Sequence, residues 1–252
     1  MISNANQNPI NFLDTAIKRY VPSRAASSIK VLDFGCGKGN LVKDLSSLRY
    51  DAYGCDIDAY WEKESEPETD TLSRISLAPY RLPFENGTFD VVVSTSVLEH
   101  AQNKEECFKE IHRVLKSGGY AMHLYPGKWY LPYEPHIYVP FVNMLWPACP
   151  KWWLSFCAKL GVRNEFQQGQ SWKEVVNRNT RYCELRLSYW SNRKYYKLSQ
   201  KVYGNYSAPM KFYINHANGG AAKFFRRFPA KGLWGWLIGN IRMNFIVLKK
   251  TD

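Results

Sequence analysis

The chain has 252 residues, 45% hydrophobic and 15% aromatic, with 34 Lys and Arg against 22 Asp and Glu for a net charge of +12. Such apolar content excludes a disordered or fibrous protein, and a chain of this length buries roughly three-quarters of its unfolded surface, in one large domain or two small ones. The charge is unevenly divided: residues 1–125 hold 14 Lys and Arg and 17 Asp and Glu (net −3). Residues 126–252 hold 20 and 5 (net +15) with eight of the nine tryptophans, which predicts a surface for an anionic partner there.

In chain order, Met1–Pro9 lacks a basic segment followed by an apolar one, so no secretory signal is expected. The six cysteines, Cys36, Cys55, Cys107, Cys149, Cys157 and Cys183, form no Cys-x-x-Cys pair and no Cys/His cluster at zinc spacing. They predict reduced thiols in a cytoplasmic protein without a metal site. Residues 29–34 (Ile-Lys-Val-Leu-Asp-Phe) read as a buried strand, followed by the turn Gly35-Cys36-Gly37-Lys38-Gly39-Asn40 and a helix over 41–48. Glycines there let the chain turn tightly and let backbone N–H groups approach a ligand at a helix N-terminus. The spacing is Gly-x-Gly-x-Gly, not the Gly-x-Gly-x-x-Gly of dinucleotide binders, which disfavours NAD and FAD. A second strand, Ala52–Cys55, ends in Asp56, 21 residues after Gly35, matching the ~20-residue offset of an acid that reaches ribose hydroxyls.

The acidic run Glu62, Glu64, Glu66, Glu68 and Asp70 reads as a solvated loop. A third strand is expected over Phe89–Ser94 and a helix over Lys104–Leu115. Gly118-Gly119 are expected to stop that helix before a strand at Tyr120–Tyr125. Strands alternating with helices predict an α/β fold with a parallel sheet.

These stretches resemble the class I S-adenosylmethionine-dependent methyltransferases, in their small-molecule, type 11-like branch. Val31–Asn40 is similar to the family's first motif. Leu82-Pro83-Phe84-Glu85-Asn86-Gly87-Thr88-Phe89-Asp90-Val91-Val92-Val93-Ser94, Val97-Leu98-Glu99-His100 and Glu110–Gly119 follow in the family's order, so the resemblance covers residues 25–126. It implies a Rossmann-like sheet, mostly parallel with an antiparallel final strand inserted into it, and S-adenosylmethionine as cofactor. Asp33, Gly35, Cys36, Gly37 and Gly39 would surround the methionine part, Asp56 would accept from both ribose hydroxyls, and Ser94 would offer its carbonyl to the ammonium. Relatives carry an Asp before the Leu-Pro-Phe segment for the adenine amino group. Here Leu77-Ala78-Pro79-Tyr80-Arg81 has no acid, so Ile57, Ala78 and Pro79 would hold adenine through backbone and apolar contacts.

Residues 137–158 carry one charge, Lys151, over a length that could span a bilayer, but Pro140, Pro147, Pro150 and Asn143 interrupt it. A broken helical lid is expected, packed on the core or resting on a membrane surface through Trp146, Trp152 and Trp153. Residues 171–202 and 224–239 mix basic and aromatic side chains suited either to an anionic lipid or lipid-linked phosphate, or to nucleic acid. The lipid or small-molecule side is favoured because the resemblance is to small-molecule enzymes. Met243–Lys250 reads as the final strand, which divides the chain into a cofactor-binding core (1–126), a basic aromatic cap (127–240) and a returning strand (241–252).

If the acceptor is a hydroxyl, a general base must take its proton, and histidine suits this. The candidates are His136 with Tyr133 and Glu134 in the segment Tyr130–His136, His100 at the carboxyl edge of the sheet, and, less favoured, His123 inside a strand. The expected activity is methyl transfer, with O-methylation favoured, to a small or lipid-linked anionic acceptor such as a glycan. The setting is cytoplasmic, in peripheral contact with the inner face of a membrane. An RNA methyltransferase or an inactive binding protein are the alternatives.

Overall fold

The computed structural model describes residues 9–22, 24–58 and 71–251; the acidic run at 62–70 lies outside them. Helix α1 (Ile10–Tyr20) buries Phe12, Leu13, Ala16 and Ile17, the one apolar face its spacing provides. Then follow β1 (Lys30–Phe34), α2 (Asn40–Ser47), β2 (Asp51–Asp56), β3 (Leu72–Arg74), a hairpin of β4 (Ser76–Leu77) and β5 (Tyr80–Arg81), β6 (Phe89–Thr95), α3 (Lys104–Val114) and β7 (Leu115–Pro126). The last strand is β8 (Met243–Lys249).

The six-stranded sheet runs β3-β2-β1-β6-β7-β8 and is parallel except where β8 pairs antiparallel with β7. β1 and β6 are covered on both faces and are therefore apolar along nearly their whole length. Strand order reverses between β1 and β6, and a parallel sheet opens its ligand crevice at the carboxyl ends of such strands.

The antiparallel final strand is as expected: β8 joins the sheet at its edge, where its outer side meets Ser207 through Val247, Asn205 through Lys249 and the Met210 sulfur through Phe245 N–H. One expectation is corrected. Gly118-Gly119 do not stop a helix: Val114 and Leu115 are buried, the chain extends at once into β7, and Gly118 (φ +74°) lies inside that strand where its register against β6 shifts.

The remaining helices are α4 (Val142–Leu145), α5 (Lys151–Lys159), α6 (Trp172–Arg186), α7 (Asn192–Tyr203), α8 (Met210–His216), α9 (Gly220–Phe225) and α10 (Lys231–Ile241). Packing divides the 127–240 segment in two. Tyr195, Leu198 and Tyr203 of α7 join Phe108 and Ile111 of α3 on one face of the sheet. Met210, Phe212, Ile214 and Ile238 of α8 and α10 join α1 and α2 on the other. Between Ile137 and Tyr189 a separate core forms from Val142, Leu154, Cys157, Val175 and Cys183, and this is the helical cap. Among the described residues no helix is long and apolar enough to cross a membrane.

Candidate active site

The glycine turn is tied to β2, because the N–H groups of Gly35 and Cys36 both donate to the Cys55 carbonyl at 2.8 and 3.2 Å. Gly35 has φ +80°, and a Cβ there would stand 2.4 Å from Val97 Cγ2, so the position tolerates only glycine. Asp56 closes the turn: its Oδ2 accepts from Gly37 N–H at 2.8 Å and its Oδ1 from Ile57 N–H at 2.7 Å. Oδ1 also accepts from Asp58 N–H at 3.4 Å, so it is Oδ2 that keeps a further lone pair for a ligand hydroxyl. Asp33 is buried at the end of β1, where desolvation and then the Asp56 charge push its carboxyl up to about 7. Gly39 (φ +77°) leads into α2. The Cys36 side chain packs on Gly54, where a Cβ would come within 2.8 Å of its sulfur, so Cys36 gives the site its backbone alone. Burial raises its thiol, which is the opposite of a reactive cysteine.

A cavity of ≈ 730 Å³ opens at this edge between Gly35, Asp56 and Ile57, the hairpin residues Leu77 and Tyr80, and Ser96, Val97 and His100 after β6. Ligand pockets of roughly 300–1,000 Å³ are usual. Ala78 and Pro79, expected to flank a base, sit exposed at the hairpin tip; the neighbours Leu77 and Tyr80 line the cavity instead. Leu77 is 63% exposed and Ile57 37%, which leaves two apolar walls for a flat ring. Ser94, expected to offer its carbonyl, has its side chain wholly buried with its Oγ 2.7 Å from His123 Nδ1, and the residue at the open end is Ser96 (φ +55°), which lines this cavity and the next. The strand runs past its last apolar residue, Val93, to Thr95, which is the signal that would have located Ser96.

The end of α6 roofs the cavity with Tyr182, Leu185 and Arg186 and is latched to the segment after β6. Ser188 N–H donates to the Glu99 carbonyl at 2.6 Å. Buried Lys104 donates to the Ser188 carbonyl, the Ser188 Oγ and the Ala101 carbonyl at 2.6, 2.8 and 2.7 Å. Burial holds its ammonium down to about 7.

A second cavity of ≈ 290 Å³ shares Ser96 and is lined by Glu99, Leu124, Tyr130, His136 and Arg242, with Phe12 and Tyr213. Behind it, buried Glu134 accepts from the backbone N–H groups of His136 and Ile137 at 2.8 and 3.0 Å and from the Tyr189 hydroxyl at 3.2 Å. Its Oε1 lies 2.7 Å from His136 Nδ1. An ionised carboxylate only accepts, so Nδ1 carries the hydrogen and the lone pair of neutral His136 resides on Nε2. Burial alone would lower the His136 pKa, but the hydrogen bond and charge of Glu134 outweigh it and raise it.

His100 lies edge-on to His136 with ring centroids 4.8 Å apart, and its Nδ1 is 2.8 Å from the Arg186 carbonyl. Burial lowers its pKa. Glu99 is 1% exposed, and neither carboxylate oxygen has a hydrogen-bond partner. Desolvation pushes its carboxyl up to about 7.

The structure thus brings His136 and His100 together, with Glu134 buried behind His136. Tyr133 leaves the set: it is exposed, 5.3 Å from the Tyr138 ring, and lines neither cavity. Tyr130 and Glu99 take its place. Glu99 precedes His100 at a sheet edge, and that adjacency was the available signal. His123 stacks on Phe108 at 5.5 Å, wholly buried, and burial lowers it to about 3, so it is a packing residue. Among the described residues no three His, Cys, Asp or Glu side chains are grouped to hold a metal ion.

Residues 32–123 match the family model of the methyltransferase domain. Sterol methyltransferase-like 3 of Botryococcus braunii is 29% identical over 157 residues, 57% of this chain and 40% of that protein. This chain thus spans well under two thirds of such a relative's length. In solved structures, an S-adenosylmethionine dependent methyltransferase from Mesorhizobium loti superposes with TM-score 0.54 at 14% identity, covering 94% of this chain and 96% of that one. Phosphoethanolamine N-methyltransferase 2 of Haemonchus contortus, in complex with S-adenosyl-L-methionine, superposes with TM-score 0.51 at 15% identity, covering 96% and 53%. Sheet order and these superpositions give the chain the fold of S-adenosylmethionine-dependent methyltransferases, and the family match places a methyltransferase domain at residues 32–123. The first cavity fits S-adenosylmethionine: bare backbone at Gly35, the Asp56 carboxylate and two apolar walls meet at one crevice, while Gly37 N–H holds Asp56 in place beside it.

Proposed function

We propose that the chain transfers a methyl group from S-adenosylmethionine to a hydroxyl of a small acceptor seated in the cavity of ≈ 290 Å³. When bound, the sulfonium supplies an electrophilic methyl with a neutral thioether as leaving group. Asp56 would hold the ribose hydroxyls, the 35–39 turn the methionine part, and Ile57 with Leu77 the adenine. Ser96 lines both cavities, and aligning the reactants across such a boundary is worth ~7–11 kcal/mol.

The observation that carries the reading is the Glu134–His136 pair. Glu134 fixes the imidazole through Nδ1 and leaves the Nε2 lone pair for the acceptor hydroxyl, in a residue that lines the second cavity. As the acceptor hydroxyl reacts, His136 Nε2 would take its proton. The imidazolium so formed is stabilised by Glu134. An acceptor with a second hydroxyl would give Glu99, whose Oε1 stands 3.9 Å from His100 Nε2, the hydrogen bond it lacks, and Arg242, over the Tyr130 ring at 4.7 Å, suits a negative group. A polyol or glycan bearing phosphate or carboxylate, free or lipid-linked, combines these features. The six free thiols support a reducing, cytoplasmic setting.

Labelled methyl incorporation into lipid and small-molecule extracts tests the reading. His136→Ala is expected to lower incorporation by about 10²–10⁴-fold while binding of S-adenosylhomocysteine is unchanged. Equal labelling by the variant would refute His136 as the base.

A further inference from the structure

Between Glu134 and Glu165 the chain has no acidic residue, while Lys151, Lys159 and Arg163 are basic. In α5, Leu154, Cys157 and Ala158 face inward to the cap core. At four-residue spacing on the other side stand Trp152, Phe156 and then Leu160, which are 70%, 50% and 68% exposed. Trp153 joins them into one surface: its ring lies 5.8 Å from Trp152, 5.6 Å from Phe156 and 6.3 Å from Phe141. Its Nε1–H donates to the Pro140 carbonyl at 2.8 Å, which fastens the α4 segment, with exposed Phe141 and Leu145, beside α5. Lys159 and Lys173 extend the rim, their ammonium groups 4.7 and 5.8 Å from the Trp172 ring.

Contiguous exposed aromatics of this kind mark a docking surface, and the charges around them choose the occupant. Indole rings settle at the boundary between headgroups and acyl chains, and lysines lay their alkyl stems along apolar surface while their charges stay with phosphates. A second copy docked face to face would bring the same cationic rim against itself, with no carboxylate in the stretch to offset it. α5 has nine residues, enough to lie in an interface but far short of the ~20 needed to cross it.

We propose that the α4–α5 face docks on the surface of an anionic phospholipid bilayer, with Trp152, Phe156, Phe141 and Leu160 entering the headgroup layer and Lys151 and Lys159 at its phosphates. The stretch begins directly after His136, so docking would hold the acceptor-cavity segment close to the headgroups. The proposal stands whether or not methyl transfer is confirmed, because its readout is binding.

The test is co-sedimentation of the full chain with phosphatidylcholine vesicles, with and without phosphatidylglycerol. Sedimentation is expected with the anionic vesicles only, and should weaken as salt screens the rim. Trp152→Glu with Phe156→Glu should cut binding by about tenfold or more, with the melting temperature and S-adenosylhomocysteine affinity kept. Lys151→Glu with Lys159→Glu, which leaves the apolar face intact, should also reduce binding and serves if the first variant fails to fold. Three results would overturn the proposal: no sedimentation of the natural chain, equal sedimentation with neutral vesicles, or both variants binding like the natural chain. A concentration-dependent dimer that the Trp152/Phe156 variant dissolves would assign the face to self-association instead.

Discussion

A histidine can serve as base only in the neutral form, so the environment of His136 sets the pH at which the site works. The Glu134 carboxylate favours imidazolium and raises the His136 pKa against the opposing effect of burial. Activity should therefore climb with pH through a value above the ordinary histidine range. Glu134→Gln removes the charge, lowers that pKa and moves the acid limb of the kcat/KM profile to lower pH, with a reduced maximum. A reduced maximum with an unmoved limb would mean that Glu134 only holds the loop. The sequence pointed to the segment but not to the division of labour within it. Tyr133 and Glu134 are neighbours in a loop bounded by prolines, yet one is at the surface and the other wholly buried, because Glu134 alone meets the backbone N–H groups of His136 and Ile137.

Among the elements, the motif stretches that resemble the family turn out to do two kinds of work. Gly35 of the turn and Asp56 line the crevice. The Leu82–Phe84 segment is structural: Arg113 donates to the carbonyls of Leu82 and Phe84 at 3.0 and 2.7 Å, and Glu110 accepts from Leu82 N–H at 2.8 Å. Both roles give the same sequence signal, and only geometry separates them. The latch at Lys104 had no signal, since its cap partner Ser188 lies 84 residues away. Lys104→Met leaves the Ser188 and Ala101 carbonyls unpaired in a buried place, at a cost of about 1–3 kcal/mol. Denaturant unfolding should show that loss, and the Ser188 amide should exchange faster. Unchanged exchange would mean that the cap is held elsewhere.

Over the whole molecule, β1, β2, β6, α3 and β7 were legible because each is a local apolar run closed by a turn or a helical repeat. The helices α7, α8 and α10 were not, because Tyr195, Leu198 and Met210 sit among lysines, arginines and further aromatics whose composition suggests a surface. Their buried faces exist only once the sheet is present to receive them. The +15 half is thus partly a scaffold for the cofactor half, and Arg242 of that half lines the second cavity. Everything proposed for the acceptor depends on the first cavity holding the sulfonium nucleoside against Asp56. Calorimetric titration with S-adenosylhomocysteine tests this directly. The natural chain should bind saturably, and Asp56→Ala should bind about 10–100-fold more weakly, the worth of a lost charged hydrogen-bond pair. No saturable binding by the natural chain, or undiminished binding by Asp56→Ala, would contradict it.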